Sequence, residues 1–404
     1  MFALSTASNT VGNYKGTQRN LQKRMQTELP GIISAISGQW EVVWGPVVWK
    51  ALPDIPFTGP DNSWFVARSP GVIFDDGSIN EAYVVAIAGT SSIYGGVAED
   101  LQVGTVVDFL GWVASGITQP PVPMSPEGVV PDGTYVANGT AIAAHTLLTE
   151  PSPSGTASAG LTLCDFLSGI SVSSSTRVVF TGHSLGGVLS PTMALALVRS
   201  GILGGEVLVY PTAGPSPGNG SFAELFAQTF PASSSASSDI EYAVWNRNIV
   251  NSLDIVPQAW CTQKRRSPEQ NLDNIPSIYG LPKLFIVDCT IDVLKYTTDN
   301  SNMVYMPLQS RILSGSKPAS APGSVKQFLS DAGENHIAFY SKLFDVPWTK
   351  LALRMNDELA EKSEKEEFLG YPVIGDIEWG NEHKAETEAA AAAVRANESA
   401  VDDE

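Results

Sequence analysis

Arg177–Thr181 (RVVFT), Gly182–Gly187 (GHSLGG) and Val188–Val198 (VLSPTMALALV) follow one another without a break, and together they set the architecture. RVVFT is short, β-branched and aromatic, with continuous rather than alternating apolar character, as expected of a strand covered on both faces. A helix-compatible run follows at once. Between them, G-x-S-x-G puts Ser184 on a sharp strand-to-helix turn, and small residues two places either side let the strand and the helix approach closely. The hydroxyl then projects from the carboxyl edge of the sheet, and the backbone N–H of Leu185, at a helix N-terminus, faces a developing oxyanion.

Before this stretch, β-rich runs are expected at Trp40–Val48, Trp64–Arg68, Val72–Phe74 and Tyr83–Ala88. Two later ones are expected at Glu206–Tyr210 and Tyr242–Val250. Helical patterns lie at Val188–Val198 and Phe222–Phe230, and an amphipathic helix within residues 14–38 is expected to break or restart near Pro30. Strand–helix alternation of this kind predicts a mostly parallel α/β sheet flanked by helices, with right-handed crossovers.

The chain has 404 residues, 43% hydrophobic and 16% charged, which excludes a disordered chain, a coiled coil and a collagen-like repeat. Its net charge of −18 opposes general nucleic-acid binding. The acidity is concentrated late: residues 355–404 hold 15 Asp/Glu against 4 Lys/Arg, while the rest hold 27 against 20. We therefore expect an N-terminal flank at 1–13, one α/β domain at 14–350, and an acidic helical or disordered extension at 351–404. Three widely spaced cysteines and four histidines show neither a disulfide framework nor metal-ligand spacing, so no metal or cofactor is expected. No signal-peptide pattern and no apolar run of about 18 residues is found. The expectation is a protein without a transmembrane segment, cytoplasmic by default, with leaderless secretion left open.

A serine hydroxyl needs a general base oriented by a third group, and in this architecture the chain order is Ser, then Asp or Glu, then His. Only His336 and His383 follow Ser184. His336, in GENHIAFYSKLF, is the candidate base, because His383 sits in the acidic tail. Asp254, just past the Tyr242–Val250 run, is the candidate acid. Asp273, Asp288 and Asp292 are rivals, and Asp288 is the foremost because it lies in the strand-like run LFIVDC. His145 reads as a core histidine and His183 as a packing residue beside the nucleophile.

Five segments, in order over residues 80–345, resemble the class 3 (fungal-type) lipase family of α/β-hydrolases. These are YVVAIAGT (83–90), GHSLGG (182–187), PTAGPSPGNGSFAELF (211–226), NSLDIVP (251–257) and NHIAFY (335–340). The resemblance implies an α/β-hydrolase fold and an oxyanion hole from the N–H groups of Thr90 and Leu185, with the Thr90 hydroxyl assisting. It implies a serine ester hydrolase, foremost a triacylglycerol lipase, with esterase or phospholipase as variants. A lipid or small ester, met at a lipid–water interface, is the implied partner. The chain departs from the family pattern at Ala88, at Val136–Thr140 and at Pro215-Ser216, none of which carries the chemistry.

The family also places a lid between the oxyanion strand and the elbow. Residues 102–125 hold the candidate lid residues Phe109, Leu110, Trp112 and Val113, and Phe109, Trp112, Val113 and Gly116 fall at helical spacing, which suits either a lid helix or a fixed core helix. A non-catalytic lipase-like interaction module is the alternative function.

Overall fold

The computed structural model describes residues 1–89, 102–171, 173–234 and 240–346. The acidic extension, including His383, and Thr90 of the expected oxyanion hole lie outside the described residues.

Seven strands form the central sheet, and they lie across it in chain order. They are β1 (Glu41–Trp49), β2 (Asn62–Ile73), β3 (Ile79–Ile87), β4 (Thr176–His183), β5 (Glu206–Thr212), β6 (Asn248–Asn251) and β7 (Ser310–Leu313). β1, β2 and β3 form an antiparallel meander, and each later neighbour pair from β3 to β7 is parallel. Side chains alternate between the two faces with the strand period of two. Trp64 and Val66 enter one core, whereas Phe65 and Ala67 enter the other.

Helices cover both faces. On one side lie the elbow helix α4 (Leu185–Arg199) and α3 (Asn138–Thr149), whose apolar residues join the larger core. On the other lie α1 (Phe2–Ser8) and α2 (Gln18–Ala35). α4 is buried from Leu185 through Leu197, so its apolar residues all round suit a helix enclosed by protein.

Four differences from the sequence expectation have physical causes. The expected flank at 1–13 is part of the domain: Phe2, Leu4, Ala7 and Val11 are buried in the second core, and the Ser63 hydroxyl donates to the Ser8 carbonyl. The helix near the N-terminus does not break at Pro30, an exposed residue whose missing N–H falls on the solvent side. The expected Tyr242–Val250 strand is split at Asn246, which takes φ 60°; its Oδ1 accepts the Val209 N–H and its Nδ2 donates to the Pro231 carbonyl. The strand-like run around Asp288 belongs to a 15-residue helix, α5 (Phe285–Asp299). There Asp288 accepts from Lys283 at 3.3 Å.

Candidate active site

β4 ends at His183, and Ser184 begins α4 with φ 60° and ψ −118°. That backbone state is rare for a residue with a side chain and is held only where the surroundings dictate it. Here they do. A Cβ added at Gly182 would collide with the backbone of Gly186, and one added at Gly186 would collide with the Ile87 carbonyl. Strand β3 therefore runs directly against the elbow, and a Cβ at Gly89 would sit 3.3 Å from that of Ser184. The Ser184 N–H donates to the Thr212 carbonyl at 3.0 Å, tying the turn to the end of β5. Leu185 is the first residue of α4, so its N–H has no partner four residues back within the helix.

Asp254 lies three residues beyond the end of β6 and is fully buried. A buried carboxylate is tolerable only when donors surround it, and three do. His336 Nδ1 lies 2.9 and 3.0 Å from its two oxygens, the Tyr340 hydroxyl donates to Oδ2 at 3.0 Å, and the Val256 N–H donates to Oδ1 at 3.0 Å. An ionised Asp254 requires the hydrogen on His336 Nδ1, which leaves Nε2 of the neutral ring as the basic nitrogen.

His336 stands in a π-turn, Glu334–Ala338, between helix α6 (Val325–Gly333) and the short helix α7 (Phe339–Leu343). Such turns insert an extra residue per turn and recur at functional sites. Two side-chain contacts fix its position. Asn251 Nδ2 donates at 3.0 Å to both the carbonyl and Oδ1 of Asn335, and the Asn251 N–H donates to the Tyr340 hydroxyl oxygen at 2.8 Å. The turn is thus bound to the end of β6, a few residues before Asp254.

His183, the residue before Ser184, packs against the His336 ring. The His183 and His336 rings are 4.7 Å apart, Tyr340 stands edge-on to His183 at 5.0 Å, and His183 Nδ1 is 3.0 Å from the Thr212 hydroxyl. Burial holds the His183 pKa well below the ordinary histidine value, and the neighbouring His336 pushes the same way. His183 is therefore a neutral wall against one side of the His336 ring. Burial, and then the Asp254 charge, push the Tyr340 phenol well above its usual range, so it remains a donor. Among the described residues no hydrogen bond joins the Ser184 hydroxyl to His336. Such contacts often tighten only with substrate bound.

The other expected site residues fall elsewhere. Phe109 and Trp112, expected on a possible lid, lie on a helix (Phe109–Ser115) but are buried in the larger core. Phe109 meets the Phe222 ring edge-on at 4.9 Å, and Trp112 Nε1 donates to the Gln119 carbonyl at 2.9 Å. Val113 packs against the same core, and only Leu110 is exposed. The helix packs into the larger core, as one of the two readings of its spacing expects. His145 is half-buried and bonded to the Thr118 carbonyl at 3.2 Å, away from the site. Tyr340 and the Asn251–Asn335 pair were not singled out from the sequence. The one available signal was the spacing of four between His336 and Tyr340, which allows two side chains to face one direction.

Residues 115–263 match the family described as Lipase (class 3). The M37 lipase crystal structure aligns with 86% of this chain and 94% of its own at TM-score 0.60 and 23% identity. The Lip2 lipase of Yarrowia lipolytica aligns with 84% of this chain and 92% of its own, at TM-score 0.38 and 17% identity. The first of these shares its fold with this chain, a mixed sheet flanked by helices as in α/β-hydrolases. Comparison with the curated proteins gives no match.

Proposed function

We propose, on the premise that residues 115–263 form a class 3 lipase segment, that this chain is a serine ester hydrolase acting on acylglycerols or related carboxylic esters. The observation that carries the reading is the buried His336–Asp254 pair, packed against the residue that precedes a serine held at positive φ.

Ser184 attacks the ester carbonyl while His336 Nε2 takes its proton. Asp254 keeps the imidazole in the tautomer that makes Nε2 basic and stabilises the imidazolium once it forms. The tetrahedral oxyanion accepts the Leu185 N–H at the start of α4, with Thr90 as the proposed second donor. His336 then returns the proton to the leaving alcohol. Water, activated by the same imidazole, releases the acyl group and restores the serine. A preorganised N–H of this kind is worth about 2.7–4 kcal/mol in the transition state. A non-catalytic module would have no use for a carboxylate buried and aimed at an imidazole, since such a group costs stability unless every partner is in place.

The test is hydrolysis of a chain-length series of p-nitrophenyl esters and of emulsified triacylglycerol by wild type and Ser184→Ala. Hydrolysis by wild type that the substitution abolishes supports the mechanism, and activity surviving it overturns the mechanism. Cleavage of short soluble esters alone narrows the reading to an esterase.

A further inference from the structure

Between β6 and β7 the chain makes a long excursion that begins with Asp254 and contains α5. The excursion is fixed to the site. The Tyr279 hydroxyl donates to the Leu253 carbonyl at 3.0 Å, and Lys295 of α5 pairs with Asp273 at 2.7 Å. The inner face of α5 buries Val287, Ile291 and Thr298. Its outer face is mostly apolar, with the exposed Asp292 among its members: Phe285 is 83% exposed, Val293 63% and Tyr296 70%, with Ile286 and Leu281 alongside. Positions 285, 293 and 296 fall on one side of a helix, so the exposure is a stripe and not scattered residues.

We propose that this outer face of α5 is the surface by which the protein lies on an uncharged lipid–water interface, a reading that rests on the proposed hydrolysis of lipid esters. Aromatic and aliphatic side chains along one helix face suit shallow insertion at a lipid surface. The charges along the helix choose among lipids. Asp288, Asp292 and Asp299 outnumber Lys283 and Lys295, and the whole chain carries −18, so an anionic surface is repelled and a neutral one is not. Because the excursion also carries Asp254, docking this face brings the lipid to the element that holds the acid.

The probe is partition onto phosphatidylcholine vesicles containing trioleoylglycerol, measured by flotation with the full chain carrying Ser184→Ala, so that binding is read without hydrolysis. Adding Phe285→Asp and Tyr296→Asp is expected to weaken partition by at least about tenfold. The same two substitutions on the wild-type background leave hydrolysis of a soluble p-nitrophenyl ester unchanged. Equal partition of the substituted protein overturns the proposal, as does binding that requires phosphatidylglycerol. A wild-type dimer in light scattering that Phe285→Asp splits into monomers assigns the stripe to a second copy and overturns it too. Absence of hydrolysis of both the soluble ester and emulsified triacylglycerol by the wild type would overturn the proposed function, while flotation still decides the docking face.

Discussion

The Tyr340 hydroxyl donates to Asp254 Oδ2 at 3.0 Å and accepts the Asn251 N–H at 2.8 Å, so one phenol ties the carboxylate to the strand it follows. Tyr340→Phe removes one of three donors to a buried charge and leaves a buried N–H without its acceptor. Thermal and urea unfolding are expected to show a loss of about 1–3 kcal/mol. Ester hydrolysis should fall without disappearing, since His336 and Val256 still hold the carboxylate. Unchanged stability and rate would remove Tyr340 from this role.

Asp254→Asn preserves shape but replaces an acceptor oxygen with a donor, which favours the wrong tautomer of His336. The expected loss in kcat is about 10⁴-fold, the effect of the equivalent change in a serine protease. A loss below tenfold would mean that another group orients the imidazole.

His183 gives stability a defined pH dependence. Its folded pKa is depressed while the unfolded chain titrates near the ordinary value of about 6.5. Below that value the unfolded state binds a proton that the folded state refuses, so stability is full above it and declines as pH falls. The slope contributed by one such group reaches about 1.4 kcal/mol per pH unit. Taking the difference between wild type and His183→Asn from pH 7.5 to 5 isolates it from the other groups common to both proteins. Parallel curves for the two proteins would exclude the mechanism.

The elbow glycines act sterically. Gly182→Ala and Gly186→Ala drive a methyl group into backbone, which cannot rotate away as a side chain can. Each should lower the urea midpoint by the equivalent of about 1–3 kcal/mol or more. An alanine tolerated at either position would mean that β3, β4 and α4 are not packed as closely as described.

Phe109 separates a fixed helix from a moving one. As a buried side chain against Phe222, its replacement by alanine should cost about 3–5 kcal/mol. The exposed Leu110→Ser should stay within about 0.5 kcal/mol. Equal, small effects would return the helix Phe109–Ser115 to the status of a detachable lid.

Much of this architecture was legible because it follows local rules. RVVFT before GHSLGG fixed a strand, a turn and a helix, and the order of Ser184, Asp254 and His336 came from the topology such a turn demands. What stayed hidden depends on long-range packing. The apolar run around Asp288 reads as strand-like because Phe285 and Ile286, exposed among the described residues, extend the apolar character beyond the helix's inner face. Phe2 looked like a loose flank, yet its ring stacks on Phe344 and meets the edge of His183. The apolar stripe at 109–113 looked suited to a lipid surface, and the sequence could not say that Phe222 would cover it. Nothing in the spacing marked Asn251 and Asn335 as a pair, because their contact exists only once β6 and the π-turn meet.

The π-turn at Glu334–Ala338 makes the site sensitive to chain length in a way that side-chain chemistry is not. A single-residue deletion there lets the segment relax into ordinary α-helix and rotates everything beyond it by about 100°. Tyr340 would swing off Asp254 although every residue needed for the chemistry was still in the chain. The spare residue in that turn works as a phase adjustment between two helices, and it leaves this short stretch far less tolerant of length variation than of conservative exchange.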